Sequence, residues 1–117
     1  MNASIQTSNS LDKNYLLRLL RGNNEMMGVV LKEIVQTLPK CLAEISSCIS
    51  LNDTLGVVTY SLRAKSAFFM LREDRLVESF QKMEDFARKG EMSDVQNLFA
   101  AELNNTLVKL ELIEEAV

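Results

Sequence analysis

The stretch LKEIVQTLPKCLAEISSCI, residues 31–49, decides the fold class. Leu31, Ile34, Leu38, Leu42, Ile45 and Ile49 recur at steps of three and four, the spacing that lines side chains along one face of an α-helix. Pro39 falls inside this run. A proline in a helix interior removes one hydrogen bond and costs about 3 kcal/mol or a kink. The apolar phase nevertheless continues through it unchanged, which predicts one kinked helix starting near Asn23 or Asn24 rather than two helices joined by a turn.

Reading outward from that helix, the same period recurs on both sides. Upstream, LDKNYLLRLLRG (11–22) has Asp12 as a possible N-cap, Tyr15, Leu16, Leu19 and Leu20 on one side, and Gly22 as a stop. Downstream, a turn at SLND places Asp53 to cap a third helix with Leu55, Val58, Leu62 and Phe69 as its expected inward stripe. A fourth helix, within EDRLVESFQKMEDFARKG (73–90), turns Leu76, Phe80, Met83 and Ala87 inward and stops at Gly90. Ser93 is then read as the N-cap of a last helix with Val95, Leu98, Leu103, Leu107, Leu110 and Ile113 inward. No segment alternates as a strand does. The expectation is an all-α fold, an antiparallel four-helix bundle with an additional short N-terminal helix, over residues 11–117. Residues 1–10, rich in Ser and Asn and without periodicity, are expected to form a flexible arm.

Composition bounds what such a bundle does. The chain has 117 residues, 47% of them hydrophobic, enough for one continuous core and too few for two. Its net charge of −3 with interspersed signs leaves no electrostatic footprint for nucleic acid. The opening MNASIQTSNS has neither the basic region nor the apolar run of a signal peptide, and no later run is long enough to span a bilayer, so a cytoplasmic location without membrane contact is expected. Cys41 and Cys48 lie about 10.5 Å apart along one helix face, beyond disulfide reach, and are read as reduced residues of the core or its boundary.

Catalytic patterns are missing. Histidine does not occur, which removes the common zinc sets and every Ser/His or Cys/His pair. The glycines are scattered singly, so nothing cradles a phosphate. Adjacent acids such as Glu73 with Asp74, Glu84 with Asp85 and Glu114 with Glu115 diverge by about 100° on a helix and do not share a site. Neither an enzyme, a cofactor nor a metal is expected.

What remains is YSLRAK, residues 60–65, in the third helix. With Leu62 inward, Tyr60 falls on the opposite side, with Gly56, Arg63, Ala64 and Ala67 within about 60° of it. A ring among small side chains and one cation suits the close approach of another protein surface. The simpler reading is a boundary aromatic that covers apolar area and keeps its hydroxyl in water.

These residues, in their order and spacing, carry a resemblance. Residues 11–115 resemble a histidine-containing phosphotransfer (HPt) domain of multistep bacterial phosphorelays. That family has a helix motif of the type His-x-Leu-Lys-Gly-Ser, preceded by a Gly-Asp or Asn-Asp turn and followed by a Leu-Glu pattern that ends in Ala-Arg-x-Gly. The matching residues are ND (52–53), YSLRAK (60–65) and MEDFARKG (83–90), and NYLLRLLRGNNEMMGVVLKEIVQTLP (14–39) is similar to the family's first two helices. The departures are as informative as the match. Tyr60 stands where the family has its phosphoacceptor histidine, Arg63 where it has lysine, Ala64 where it has glycine and Lys65 where it has serine.

The resemblance implies a module of two-component signalling that docks the receiver domain of a response regulator, or a hybrid sensor kinase. An imidazole forms a phosphoramidate able to pass its phosphoryl group on, whereas a phenol forms a stable ester. The implied role is therefore docking without phosphotransfer, as competitor or scaffold, through Gly56, Tyr60, Arg63, Ala64, Lys65 and Ala67. The alternatives are a self-associating helical bundle with no phosphorelay role, with Tyr60 and the alanines as its homodimer face, or a folded remnant of a larger sensor protein.

Overall fold

The structure, a computed structural model, describes residues 11–117, and the arm expected over 1–10 lies outside the described residues. Five helices follow one another: α1 (Lys13–Leu19), α2 (Asn24–Ser50), α3 (Thr54–Met70), α4 (Asp74–Arg88) and α5 (Met92–Ala116), with no strand among the described residues. The helix α2 is continuous through Pro39.

Local chemistry explains most of the boundaries. The carboxylate of Asp12 accepts from the Tyr15 amide, the Asn23 side chain from Met26, and Asp53 from Gly56, each at 2.9 Å. Each satisfies one of the amide donors that a helix start leaves unpaired. Helix exits pass through left-handed residues: Gly22 and Gly90, which carry no Cβ penalty, and also Asn52 and Arg72. The expected Ser93 cap is corrected. Helix α5 begins two residues earlier, at Met92 after Glu91, and no side chain caps it.

Helix α3 packs on α2 and α4, and α5 packs on α4 and α2, so the four longer helices close a ring around one core while α1 rests on α2. Leu31, Ile34, Leu38, Leu42 and Ile45 of α2 meet Leu76, Phe80 and Met83 of α4 there, as their period requires, with Ala64 and Phe68 from α3 and Leu110 and Ile113 from α5. The rings of Phe68 and Phe80 lie 5.1 Å apart, tilted by 52°.

The expected inward face of α3 is overturned except at Val58, which is buried as expected. Leu55, Leu62 and Phe69 are exposed, and the buried side is Val57, Val58, Ser61, Ala64 and Phe68. Two apolar stripes compete on this helix, and packing selects the one with small residues at its centre. Ser61 and Ala64, both fully buried, let the backbone of α3 approach its neighbours closely. Helix α5 departs in a similar way. Val95, Leu110 and Ile113 are buried as expected, but Leu107 is exposed and Glu102, Thr106 and Lys109 turn inward.

Candidate functional site

The phase of α3 rearranges the expected docking face. Tyr60 is half-buried at the α2 side of the helix and packs on the core, so it takes the boundary position rather than the crest of an exposed face. The guanidinium carbon of Arg63 sits 5.2 Å from its ring centroid, in cation–π range. Arg63 itself is exposed and Ala67 is half-buried beside it. These three side chains stay together.

The other three expected contributors do other work. Ala64 is fully buried in the core and offers nothing to a partner. Gly56 does not open the surface, because a Cβ there would run into Cys48 Sγ and come within 2.6 Å of Asp53 Oδ2. Its smallness lets Asp53 cap α3 while the Cys48 thiol donates to the same carboxylate at 3.7 Å. Lys65 turns towards α4, where its ammonium donates to Gln81 and lies 3.2 Å from Glu84 Oε1. Arg88 meets the second Glu84 oxygen at 2.9 Å. Burial works against the charge on Glu84, but the hydrogen bonds and charges of Arg88 and Lys65 more than offset it and hold the carboxyl below its ordinary range. Lys65 is therefore an α3–α4 tie rather than a cation presented to a receiver.

Gly56→Ala separates the two roles for this glycine. We expect it to cost about 1–2 kcal/mol, from a displaced cap and local overpacking that outweigh the better helix propensity of alanine. A urea midpoint unchanged from wild type would return Gly56 to the surface role.

A second wall, unrecognised in the sequence, comes from α2. Thr37, Lys40, Cys41 and Glu44 face Tyr60, Arg63 and Ala67 across an open, mainly apolar groove of about 430 Å³. The signal was present in the period, since these residues flank the inward positions Leu38, Leu42 and Ile45 on one side. Lys40 and Arg63 bring two cations to this groove against the single carboxylate of Glu44. Burial pushes the Cys41 thiol up from its ordinary value, with Arg63 pulling partly against it, so Cys41 is not an activated thiolate. Both cysteines are free.

No family model, curated protein or solved structure matches the chain. Among the described residues no three His, Cys, Asp or Glu side chains gather to hold a metal, and no helix is long and apolar enough to cross a membrane. A groove with apolar walls, an aromatic ring and two cations at its margin is suited to binding an acidic, partly apolar surface.

Proposed function

We propose that this chain is an HPt-like module of a two-component phosphorelay, in the cytoplasm, that docks a receiver domain or a hybrid sensor kinase without carrying phosphate. It acts as a competitor or a scaffold. The observation that carries this reading is Tyr60, set at the phosphoacceptor position of the resemblance, stacked by Arg63 and lining the α2–α3 groove. The fold supports it too. A ring of α2, α3, α4 and α5 joined by three-residue turns favours an antiparallel four-helix bundle with α1 as the added short helix. In this reading the docking surface is Tyr60, Arg63 and Ala67 with Lys40 and Thr37 from α2, and Gly56, Ala64 and Lys65 act behind it.

The chemistry of the phenol sets the limit on function. A phosphoryl ester on the Tyr60 phenol would be stable and would not pass to an aspartate. Arg63 keeps a cation where a receiver's acidic pocket would meet it.

The test is a titration against receiver domains of the same organism, with and without a phosphate mimic. We expect wild type to bind without accepting phosphate, and Tyr60→Ala to weaken binding about 30-fold, the loss of a central aromatic anchor worth about 2 kcal/mol. Tyr60→His is expected to bind and to gain phosphotransfer. Absence of binding by all three proteins would overturn the proposal.

A further inference from the structure

The groove between α2 and α3, about 430 Å³, falls in the range of small-molecule sites, roughly 300–1,000 Å³. Its floor is apolar. Leu38, only 1% exposed, lines it together with the half-buried Cys41 and Ala67. Burial raises the Cys41 thiol from its ordinary value, in keeping with a floor drawn away from water. The two hydroxyls on its walls are tied to their own helices: Thr37 donates to the Glu33 carbonyl at 2.9 Å and Ser66 to that of Leu62 at 3.1 Å. The polar groups left to meet a ligand are the side chains of Lys40, Arg63 and Glu44, with the hydroxyl of Tyr60.

The charge left over is positive. Ion pairs among the described residues engage Lys65, Arg72, Arg75, Lys82, Arg88 and Lys109, and neither Lys40 nor Arg63 takes part in one. Arg63 is nevertheless held in place. Its guanidinium carbon sits 5.2 Å from the Tyr60 ring centroid, so less side-chain freedom is lost when its N–H groups meet an anion. On α2, Thr37, then Lys40 with Cys41, then Glu44 stand on successive turns. A ligand carboxylate between Lys40 and Arg63 therefore has one favourable direction for an apolar body, away from the Glu44 carboxylate and along Leu38 and Ala67. A second charge at the far end of that body would lie over apolar floor with no counter-group, which disfavours a dianion.

We propose that the α2–α3 groove binds a small monocarboxylate with an apolar body, its carboxylate held between Lys40 and Arg63 and its body laid over Leu38, Cys41 and Ala67. This goes beyond the docking reading and does not rest on it, because the chain alone supplies every contact. A bound carboxylate covers Arg63 and the edge of Tyr60, so it competes with any protein docked there. For an eight-carbon acid of about ten heavy atoms in an open groove, a dissociation constant on the order of 1 mM is expected.

Octanoate titrated to about 10 mM into the isotope-labelled full chain, followed by NMR, tests it. Saturable shifts should centre on Cys41, Tyr60, Arg63 and Ala67. Octanamide, the same body without the charge, and suberate, with a carboxylate at each end, should each bind about tenfold more weakly or worse. Lys40→Gln and Arg63→Gln, both at exposed positions, should weaken octanoate binding by about fivefold or more with helical content intact. Lys32→Gln, an exposed cation about two turns away on α2, should bind as wild type does. No saturable shift by about 10 mM would overturn the proposal, as would shifts centred on another face, equal binding of octanoate and octanamide, or full affinity in both Lys40→Gln and Arg63→Gln. Octanoate binding by a chain that docks no receiver domain would overturn the phosphorelay reading alone.

Discussion

Lys109→Met is expected to lower the free energy of unfolding by about 3–5 kcal/mol, read as a fall in the urea midpoint at unchanged slope. Lys109 is fully buried on α5, and its ammonium lies 2.7 Å from Glu73 Oε2, itself only 8% exposed. Glu73 occupies the N-cap position of α4 yet makes no capping bond, because its carboxylate is turned to α5 instead. Burial pushes that carboxyl above its ordinary range, and the hydrogen bond and charge of Lys109 pull it part of the way back. Removing the cation leaves the carboxylate in an apolar setting without its partner, which is the costly half of the change. Replacing both, as Glu73→Leu with Lys109→Met, should recover much of the loss, since a buried pair contributes little net stability over an apolar pair of similar volume. A cost under about 1 kcal/mol for Lys109→Met alone would mean that water reaches the pair.

That pair also shows what a single sequence conceals. Asp12, Asn23 and Asp53 are legible as caps because the bond each makes spans three residues, and Gly22 and Gly90 because a left-handed exit favours glycine. Helix α4 is legible because its apolar residues fall in one stripe, and Leu76, Phe80, Met83 and Ala87 are all buried. Lys109 and Glu102 go inward because their partners lie on other helices, Glu73 for one, Ser79 and Arg75 for the other. Charge at a periodic position reads as solvent-facing until the fold supplies the counter-group. The candidate site divides along the same line. Tyr60, Arg63 and Ala67 are legible from their own helix, whereas Thr37, Lys40 and Glu44 belong to the site only because α2 and α3 pack together. Gly56 and Ala64 are ambiguous in the sequence because small residues suit both a close-packed helix crossing and an exposed docking face.

The phase of α3, on which the docking groove depends, is tested by two neighbouring rings. Phe68→Ala is expected to cost about 3–5 kcal/mol, because a fully buried ring leaves a cavity and loses its tilted contact with Phe80. Phe69→Ala, one residue on and 58% exposed, is expected to change stability by less than about 0.5 kcal/mol. The sequence pattern alone, with Leu55, Leu62 and Phe69 inward, demands the reverse order. Urea unfolding of the two variants therefore decides between orientations differing by roughly a third of a turn. If Phe69→Ala were the costly substitution, Tyr60 would stand on the crest of the exposed face, Ala64 would return to the surface, and Leu62 would turn into the core. If Phe68→Ala is costly, Phe68 and Ala64 hold the core side of α3, and Tyr60 and Arg63 stay together at the α2–α3 groove.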